Sequence, residues 1–213
     1  MLTLDAKHVP LRVQSILKSY RDVFEGLGHI GCSSFLVDPS AVPVQHTSRR
    51  IPVALQKEVK AKLADLESKG IIKKETAPTE WISNMVVVAK PGKIRICLDP
   101  QELNKVTQRP KYQMPTLEEL LPKLFKAKVF STLDAKDGFY QISLDDTSSK
   151  LTTFWTPFGR YRYLRMPFGV SLAPEEFESN LQEKLADLEG MVVIRDDILV
   201  MGFGDTPEQA VTN

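Results

Sequence analysis

The chain has 213 residues, of which 42% are hydrophobic and 26% charged, and its formal net charge is +1 at pH 7. This length allows one large domain or two small ones, and the composition is that of a soluble globular protein. The near-neutral total argues only against a polybasic tail, because it is compatible with a local basic groove. No segment reaches the roughly 18 apolar residues of a membrane span, so we expect a cytoplasmic or nuclear protein without a membrane partner.

Cysteine and histidine usage argues against a zinc site. Cys32 and Cys97 lie far apart without C-x-x-C spacing, and none of the three histidines stands in a ligand-like register with them. Two distant cysteines also do not make a disulfide scaffold.

The first part of the chain predicts two helices separated by an extended leader. Apolar residues at helical spacing predict a short amphipathic helix over residues 11–25. Residues 35–50 contain proline and serine with little periodicity, which indicates an extended segment. Pro52 then opens a second helix that ends at Gly70, as helices often do. We therefore expect residues 1–50 to form an N-terminal helix and leader.

The middle of the chain changes to strands. Two β-rich runs at residues 85–89 and 94–98 are joined by a Lys-Pro-Gly-Lys turn, which predicts a hairpin. Thr116-Leu117-Glu118-Glu119 is a capping box that begins a helix, expected to run to Lys128 with a bend near Pro122.

Further strands and helices follow in irregular order. The expected elements are strands at 128–133 and 140–144 around Gly138, a strand pair at 154–164, a helix from Pro174 to Gly190, and a hairpin around residues 192–200. The tight hairpins favour antiparallel pairing over βαβ units, so the predicted class is α+β. Thr206-Pro207-Glu208-Gln209 is a further helix cap close to Asn213, and we expect the chain to be a piece of a longer protein.

The stretch VVIRDDILV places Asp196 and Asp197 between two apolar runs. Ionised carboxylates are costly to bury without a partner. The pair either forms a simple turn between two strands or holds a cation. Asp145-Asp146 offers a comparison, because its polar surroundings favour a turn at the end of a strand.

Asp134 makes the cation interpretation more attractive. It ends the apolar strand VFSTL, so two strands could each offer a carboxylate near their ends. Oxygen ligands that leave room for phosphate suit Mg²⁺. Two such ions ~4 Å apart can activate an attacking hydroxyl and stabilise a leaving pyrophosphate.

Three ordered motifs then resemble one known family. LDAKDGFYQI, RMPFGVSLAPEEFE and VVIRDDILV resemble the palm of reverse transcriptases from gypsy-type long-terminal-repeat retrotransposons. Upstream, VVVAKPGKIRICLDPQELNKVT is similar to the family's fingers hairpin and the start of its palm. The resemblance implies an α+β fold of right-hand polymerase type, with an antiparallel palm sheet backed by helices. It places the fingers at residues 51–105 and the palm, with part of the fingers inserted, at 106–213, without a thumb, a connection or a ribonuclease H domain.

The resemblance also implies roles for individual residues. Asp134 would be the first metal ligand, with the carbonyl of Ala135 beside it, and Asp196 the second, with Asp197 as its acidic neighbour. The cofactor would be Mg²⁺, with Mn²⁺ as a substitute. A particle of the retrotransposon would be the location if the element is active.

A second set of residues would bind the deoxynucleoside triphosphate (dNTP). Lys90 and Arg95 would grip the triphosphate, because a guanidinium can hold phosphate in a bidentate manner. Phe139 would lie under the sugar and exclude a 2′-hydroxyl. Phe168 and Gly169 would pack beneath the nucleotide and the template base. The other partners would be an RNA or DNA template and its primer.

The sequence also departs from the family at the hairpin. Ile194 stands where the family usually has tyrosine, and Arg195 where a smaller or apolar residue is usual. One alternative is therefore a catalytically weak or inactive fragment that binds nucleic acid or a protein partner. Another is a different metal-dependent enzyme on a similar palm, such as a nucleotidyl cyclase. Without a thumb we expect the isolated chain to polymerise poorly, and the oligomeric state stays open.

Overall fold

The protein is described from a computed structural model over residues 2–3, 11–90, 92–109, 112, 117–194 and 196–210. It divides into two compact units. Unit 1 consists of Met1–Ile30, Lys111–Gly138 and Pro174–Asn213, and unit 2 consists of Gly31–Pro110 and Phe139–Ala173. Within the described residues, no helix combines the length and the apolar character needed to cross a membrane.

Strands and helices alternate irregularly along the chain, as expected for an α+β protein. The strands are β1 (Leu2–Thr3), β2 (Gly31–Ser33), β3 (Ile72–Lys74), β4 (Asn84–Lys90), β5 (Lys93–Asp99), β6 (Val129–Ala135), β7 (Ile142–Leu144), β8 (Phe154–Thr156), β9 (Gly159–Tyr163), β10 (Met191–Ile194) and β11 (Asp197–Gly202). The helices are α1 (Leu11–Ser19), α2 (Arg21–Phe24), α3 (Val53–Ser68), α4 (Gln101–Val106), α5 (Leu117–Leu124), α6 (Asp146–Leu151), α7 (Ala173–Leu185) and α8 (Pro207–Ala210), with a 3₁₀ turn at Gly138–Gln141.

Unit 1 is built on a four-stranded antiparallel sheet. Its strand order is β1-β6-β11-β10. β6 and β11 pair along six positions, from Asp134 with Asp197 to Val129 with Gly202. Leu124 at the end of α5 packs against buried residues of β10 and β11, so a helix backs this sheet.

Unit 2 contains three small sheets instead of one large one. β4 and β5 form the predicted hairpin, β3, β9 and β8 form an antiparallel sheet, and β2 pairs with β7 in parallel. The largest fully buried side chains of the unit are aromatic and aliphatic: Tyr163, Phe154, Leu63, Leu66, Ile72, Ile96, Leu103, Ile142 and Met166. These elements provide the frame for the second set of predicted site residues.

Several local expectations were wrong. The helix expected to reach Gly190 ends at Leu185, and the strand expected from residue 140 begins at Ile142, after the 3₁₀ turn. α5 ends at Leu124 and does not continue to Lys128, because the Lys128 N–H donates to the Gly202 carbonyl (2.9 Å) and draws the chain into the sheet. Asp145-Asp146 is not a plain turn: Asp145 is the N-cap of α6, and its Oδ1 accepts a hydrogen bond from the Ser148 N–H (2.6 Å). The capping residue expected for α5, Thr116, lies outside the described residues.

Candidate active site

The stretch VVIRDDILV forms a tight hairpin whose turn carries an aspartate. β10 and β11 pair up to Ile194 with Asp197, and Asp196 is a turn residue next to this last pair. Asp196 is exposed in this turn, and Asp197 is the first residue of β11 and is also exposed. Arg195 lies outside the described residues. The turn and the paired carboxylates are therefore features of one hairpin.

Asp134 and Asp197 occupy opposed positions on adjacent strands. The register of β6 and β11 pairs them directly, and the next pair is Ile198 with Leu133. Residues directly opposite each other in an antiparallel pair project to the same face, with Cβ atoms about 4.5–5.5 Å apart. Because side chains alternate along a strand, Ile198 projects to the other face, where it is buried with 5% exposure.

Asp196 is tied to the same end of the sheet through its backbone. The Ala135 N–H donates to the Asp196 carbonyl oxygen at 3.3 Å. The three residues expected to hold metal, namely Asp134, Ala135 and Asp196, therefore lie at one end of the β6–β11 pair, together with their acidic neighbour Asp197. We expected Asp196 to face Asp134, whereas the register places Asp197 directly opposite it.

The electrostatics of this end of the sheet favour a cation. Like charges directly opposite each other in an antiparallel pair are destabilising, and a bound divalent ion changes the local balance of charge. Carboxylate and carbonyl oxygens are ligands that Mg²⁺ accepts, with water or phosphate completing its shell. Within the described part of the chain no three Asp, Glu, His or Cys side chains form a ready-made metal cluster. An ion at this end of the sheet would take part of its shell from a substrate or from water.

The turn after Asp134 is fixed by a close backbone contact. Asp137 has φ 52°, a conformation that aspartate tolerates better than most residues. Gly138 is buried, and a Cβ there would lie 2.8 Å from the Phe177 Cζ atom of α7. Only glycine lets the chain pass this ring at such a distance, so α7 helps to position the segment that contains Ala135.

The second set of predicted residues belongs to unit 2. Lys90 ends β4 and Arg95 lies in β5, and both side chains are exposed. The Arg95 guanidinium carbon lies 6.0 Å from the centroid of the Phe168 ring. Such a cation–π contact orients the guanidinium and leaves its N–H groups available for an anion.

Phe168 is the centre of an aromatic group. Its ring lies 5.0 Å from that of Phe139 with a 42° angle between planes, and 5.2 Å from that of Tyr140 in an edge-on arrangement. Gly169 follows with φ 106°, and a Cβ there would lie 2.0 Å from the Leu98 carbonyl oxygen. The structure thus brings Arg95, Phe139, Phe168 and Gly169 together, with Lys90 on the same hairpin as Arg95.

Sequence reasoning missed Asn104, which contacts this group from α4. Its side-chain amide bonds to the backbone of Gly169 and of Ser171. Asparagine is a poor helix former because its side chain competes for backbone groups. An asparagine inside the run QELNKV was therefore a weak signal of a tertiary role.

Comparison with known proteins gives this site a context. Residues 72–212, which include every predicted site residue, match the family described as reverse transcriptase (RNA-dependent DNA polymerase). The chain belongs to the reverse transcriptase family. It is 33% identical over 162 residues to the retrovirus-related Pol polyprotein from transposon 297 of Drosophila melanogaster, covering 72% of this chain and 15% of the relative. It is also 33% identical over 199 residues to an uncharacterized protein of Caenorhabditis elegans, covering 89% of the chain and 15% of the relative.

Solved reverse transcriptases share the fold. The foamy virus protease-reverse transcriptase superposes with a TM-score of 0.80 at 21% identity, over 94% of this chain and 27% of that protein. A foamy viral protease-reverse transcriptase in complex with an RNA/DNA hybrid gives a TM-score of 0.77 at 20% identity, over 94% of this chain and 27% of that protein. The expected α+β reverse transcriptase fold is confirmed, whereas assignment to gypsy-type elements in particular stays a prediction.

Proposed function

We propose that this chain is the fingers-and-palm part of an RNA-directed DNA polymerase that adds a deoxynucleotide to a primer 3′-hydroxyl. The observation that carries the proposal is the opposed pair Asp134 and Asp197 on adjacent strands, inside the part of the chain that matches reverse transcriptases. The chain spans 15% of the length of these curated relatives, so the activity of the whole polymerase is part of the proposal. The domain boundaries and the cytoplasmic or nuclear location expected from the sequence stay predictions.

The metal ligands in this proposal are Asp134, Asp196 and the carbonyl of Ala135. Asp197 adds negative charge beside them. Bound Mg²⁺ or Mn²⁺ would supply an activated primer hydroxyl and would stabilise charge on the departing pyrophosphate. The protein's part is to hold the acidic end of β6 and β11 open to the reacting groups, which agrees with the exposure of all three aspartates.

The residues of unit 2 bind the nucleotide in this proposal. Lys90 and Arg95 hold the triphosphate, and Phe139 lies under the sugar and excludes a 2′-hydroxyl. Phe168 and Gly169 support the base pair being formed. The contact between the Arg95 guanidinium and the Phe168 ring supports a common binding surface for phosphate and base.

A base-paired template and primer are the second substrate. Foamy virus reverse transcriptase has been solved with an RNA/DNA hybrid and with double-stranded DNA. By analogy we propose that this chain accepts an RNA or DNA template with its primer, with the dNTP as the incoming substrate.

Single-nucleotide addition tests the function without requiring processive synthesis. A primer annealed to an RNA template is incubated with the full chain, one complementary dNTP and Mg²⁺ or Mn²⁺. The wild type should extend the primer by one nucleotide, and Asp134→Asn should reduce the rate by at least about 100-fold, or about 2.7 kcal/mol.

The matched control is Asp187→Asn, an exposed aspartate of the same unit outside the β6–β11 pair, which should extend the primer like the wild type. Equal rates for Asp134→Asn and the wild type, or no extension by the wild type while it still binds primer–template, would overturn the proposal. The second result would instead favour a protein that only binds nucleic acid.

A further inference from the structure

Asn104 uses both ends of its side-chain amide to hold one turn. Its Nδ2 donates to the Gly169 carbonyl oxygen and its Oδ1 accepts from the Ser171 N–H, each at 2.9 Å. The two bonds need opposite ends of a planar amide, so they define the orientation of the side chain. We call residues 168–171 the 168–171 turn.

A second element fixes the start of the same turn. The Leu98 N–H of β5 donates to the Phe168 carbonyl oxygen at 2.9 Å. The close approach of Gly169 to the Leu98 carbonyl leaves no room for a Cβ. β5 and α4 therefore hold the turn at three backbone positions, which are Phe168, Gly169 and Ser171.

The side chains at the turn connect to the residues assigned to nucleotide binding. Phe168 is in ring contact with Phe139 and in cation–π contact with Arg95. A change in the backbone of the turn would move the Phe168 ring. Movement of the ring would displace both Phe139, which is assigned to the sugar, and Arg95, which is assigned to the phosphates.

We infer that Asn104 is a positioning residue for nucleotide binding, which fixes the 168–171 turn so that Phe168 holds Arg95 and Phe139 in place. This inference rests on the proposed function and deepens it. Asn104 acts through the turn and has no direct contact with the nucleotide. Its effect should therefore appear in the affinity for dNTP and in the preference for the deoxy form.

The first variant is Asn104→Asp, which keeps the size and the acceptor for Ser171. It removes the donor to Gly169 and places a carboxylate oxygen against that carbonyl. The matched control is Gln101→Ala on the same helix, because Gln101 is exposed and its side-chain amide donates to Asp99, away from the turn. Thermal melting shows whether both variants fold.

Hydrogen–deuterium exchange of residues 166–173 measures the turn without any nucleotide. Asn104→Asp should speed exchange of the Ser171 amide, whereas Gln101→Ala should leave it unchanged. Equilibrium binding of dTTP and of UTP with Mg²⁺ is measured on the same samples. Asn104→Asp should weaken dTTP binding by about 10-fold, in line with the loss of one hydrogen bond and the gain of a repulsion between a carboxylate and a carbonyl oxygen, and should weaken UTP binding less.

Phe168→Leu tests separately whether the Phe168 ring links the turn to nucleotide binding. It leaves the three backbone bonds of the turn in place but removes the ring, so dTTP binding should weaken without faster exchange at Ser171. The inference is overturned if Asn104→Asp loosens the turn while dTTP affinity stays at the wild-type value, or if it leaves exchange unchanged. Absence of dTTP binding by the wild type would overturn the proposed function and the nucleotide role together, and exchange would still decide whether Asn104 holds the turn.

Discussion

Asp134 and Asp197 face each other across two neighbouring antiparallel strands, at the end of a ladder whose next pair is Leu133 with Ile198. Opposed carboxylates reduce the stability of a strand pair, whereas opposed apolar residues strengthen it. A local conflict of this kind is expected where function, and not folding, has chosen the residues. The pair thus makes the metal proposal testable through protein stability alone.

Removing one of these charges should stabilise the metal-free protein. We expect Asp197→Asn to raise the free energy of unfolding by about 0.2–1 kcal/mol, since one like-charge pair is lost. Urea denaturation in the presence of a chelator measures this, with Asp187→Asn as the control that should change little. A variant less stable than the wild type without metal would contradict the expected repulsion.

Magnesium should stabilise the wild type more than a variant that lacks a metal ligand. An ion that binds only the folded state stabilises it by RT ln(1 + [L]/Kd). The melting temperature of the wild type should therefore rise with Mg²⁺ concentration, and that of Asp134→Asn should rise much less. Ca²⁺ and NaCl at matched ionic strength separate a specific site from general screening. An identical response of wild type and variant would remove Asp134 from the set of ligands.

A methyl group at position 138 should disturb the proposed metal site by displacing the segment next to it. Gly138→Ala would place a Cβ 2.8 Å from the Phe177 Cζ atom, and overpacking of this kind costs about 1–3 kcal/mol. The affinity for Mg²⁺ should fall as well, because the displaced segment contains Ala135. The double variant with Phe177→Leu should recover part of the stability, and the absence of any coupling between the two substitutions would show that the ring is not the obstacle.

Phe139 should control the choice of sugar. Its half-buried ring rests on Phe168, and a smaller residue would open space for a 2′-hydroxyl. We expect Phe139→Val to reduce the preference for dTTP over UTP in single-nucleotide addition by about 10-fold, or about 1.4 kcal/mol. Phe125→Val, at a position that is 82% exposed, is the control for a general loss of an aromatic ring.

Asp146 should make the protein sensitive to acid. Hydrogen bonds from Lys150 and then from Arg162 lower the pKa of Asp146 from 3.8 to about 2. A carboxyl whose pKa is lower in the folded state contributes stability that is present above its unfolded pKa and is lost as pH falls through the folded value. The melting temperature should therefore fall between about pH 4 and pH 2.

The comparison with Asp146→Asn isolates this contribution from that of other carboxylates. The variant should melt at a lower temperature than the wild type at pH 5, and the two curves should converge near pH 2. Asp187→Asn should follow the wild type at every pH. Parallel curves for wild type and Asp146→Asn would show that the ion pair with buried Arg162 adds nothing to the pH dependence.

Local chemistry explains what the sequence predicted well. α3 lies between Pro52 and Gly70, as expected from a proline at the start of a helix and a glycine after its end. At α8 the expected cap is present, since Thr206 and Gln209 each accept a hydrogen bond from the other's backbone N–H at 3.3 Å. These features depend on residues a few positions apart, and their signals are in the sequence itself.

Long-range pairing explains what could not be predicted. Whether Asp134 meets Asp196 or Asp197 depends on the register of two strands, and a shift of one residue changes the face of every side chain. The parallel pairing of β2 with β7 joins a segment of the leader to a strand far along the chain. The bonds of Asn104 to the 168–171 turn likewise depend on the folded arrangement of unit 2, and an asparagine within a helical run is only a weak sign of them.

The long sequence separation between β6 and its partner β11 affects how unit 1 folds during translation. β6 ends at Ala135, but its main partner begins only at Asp197. At roughly 5–20 residues per second, a ribosome needs about 3–12 s to make the intervening segment. During that interval the nascent β6 exposes unsatisfied amides and carbonyls together with Phe130, and such an edge invites aggregation. We expect yields of soluble protein to improve with chaperones that shield extended segments during translation.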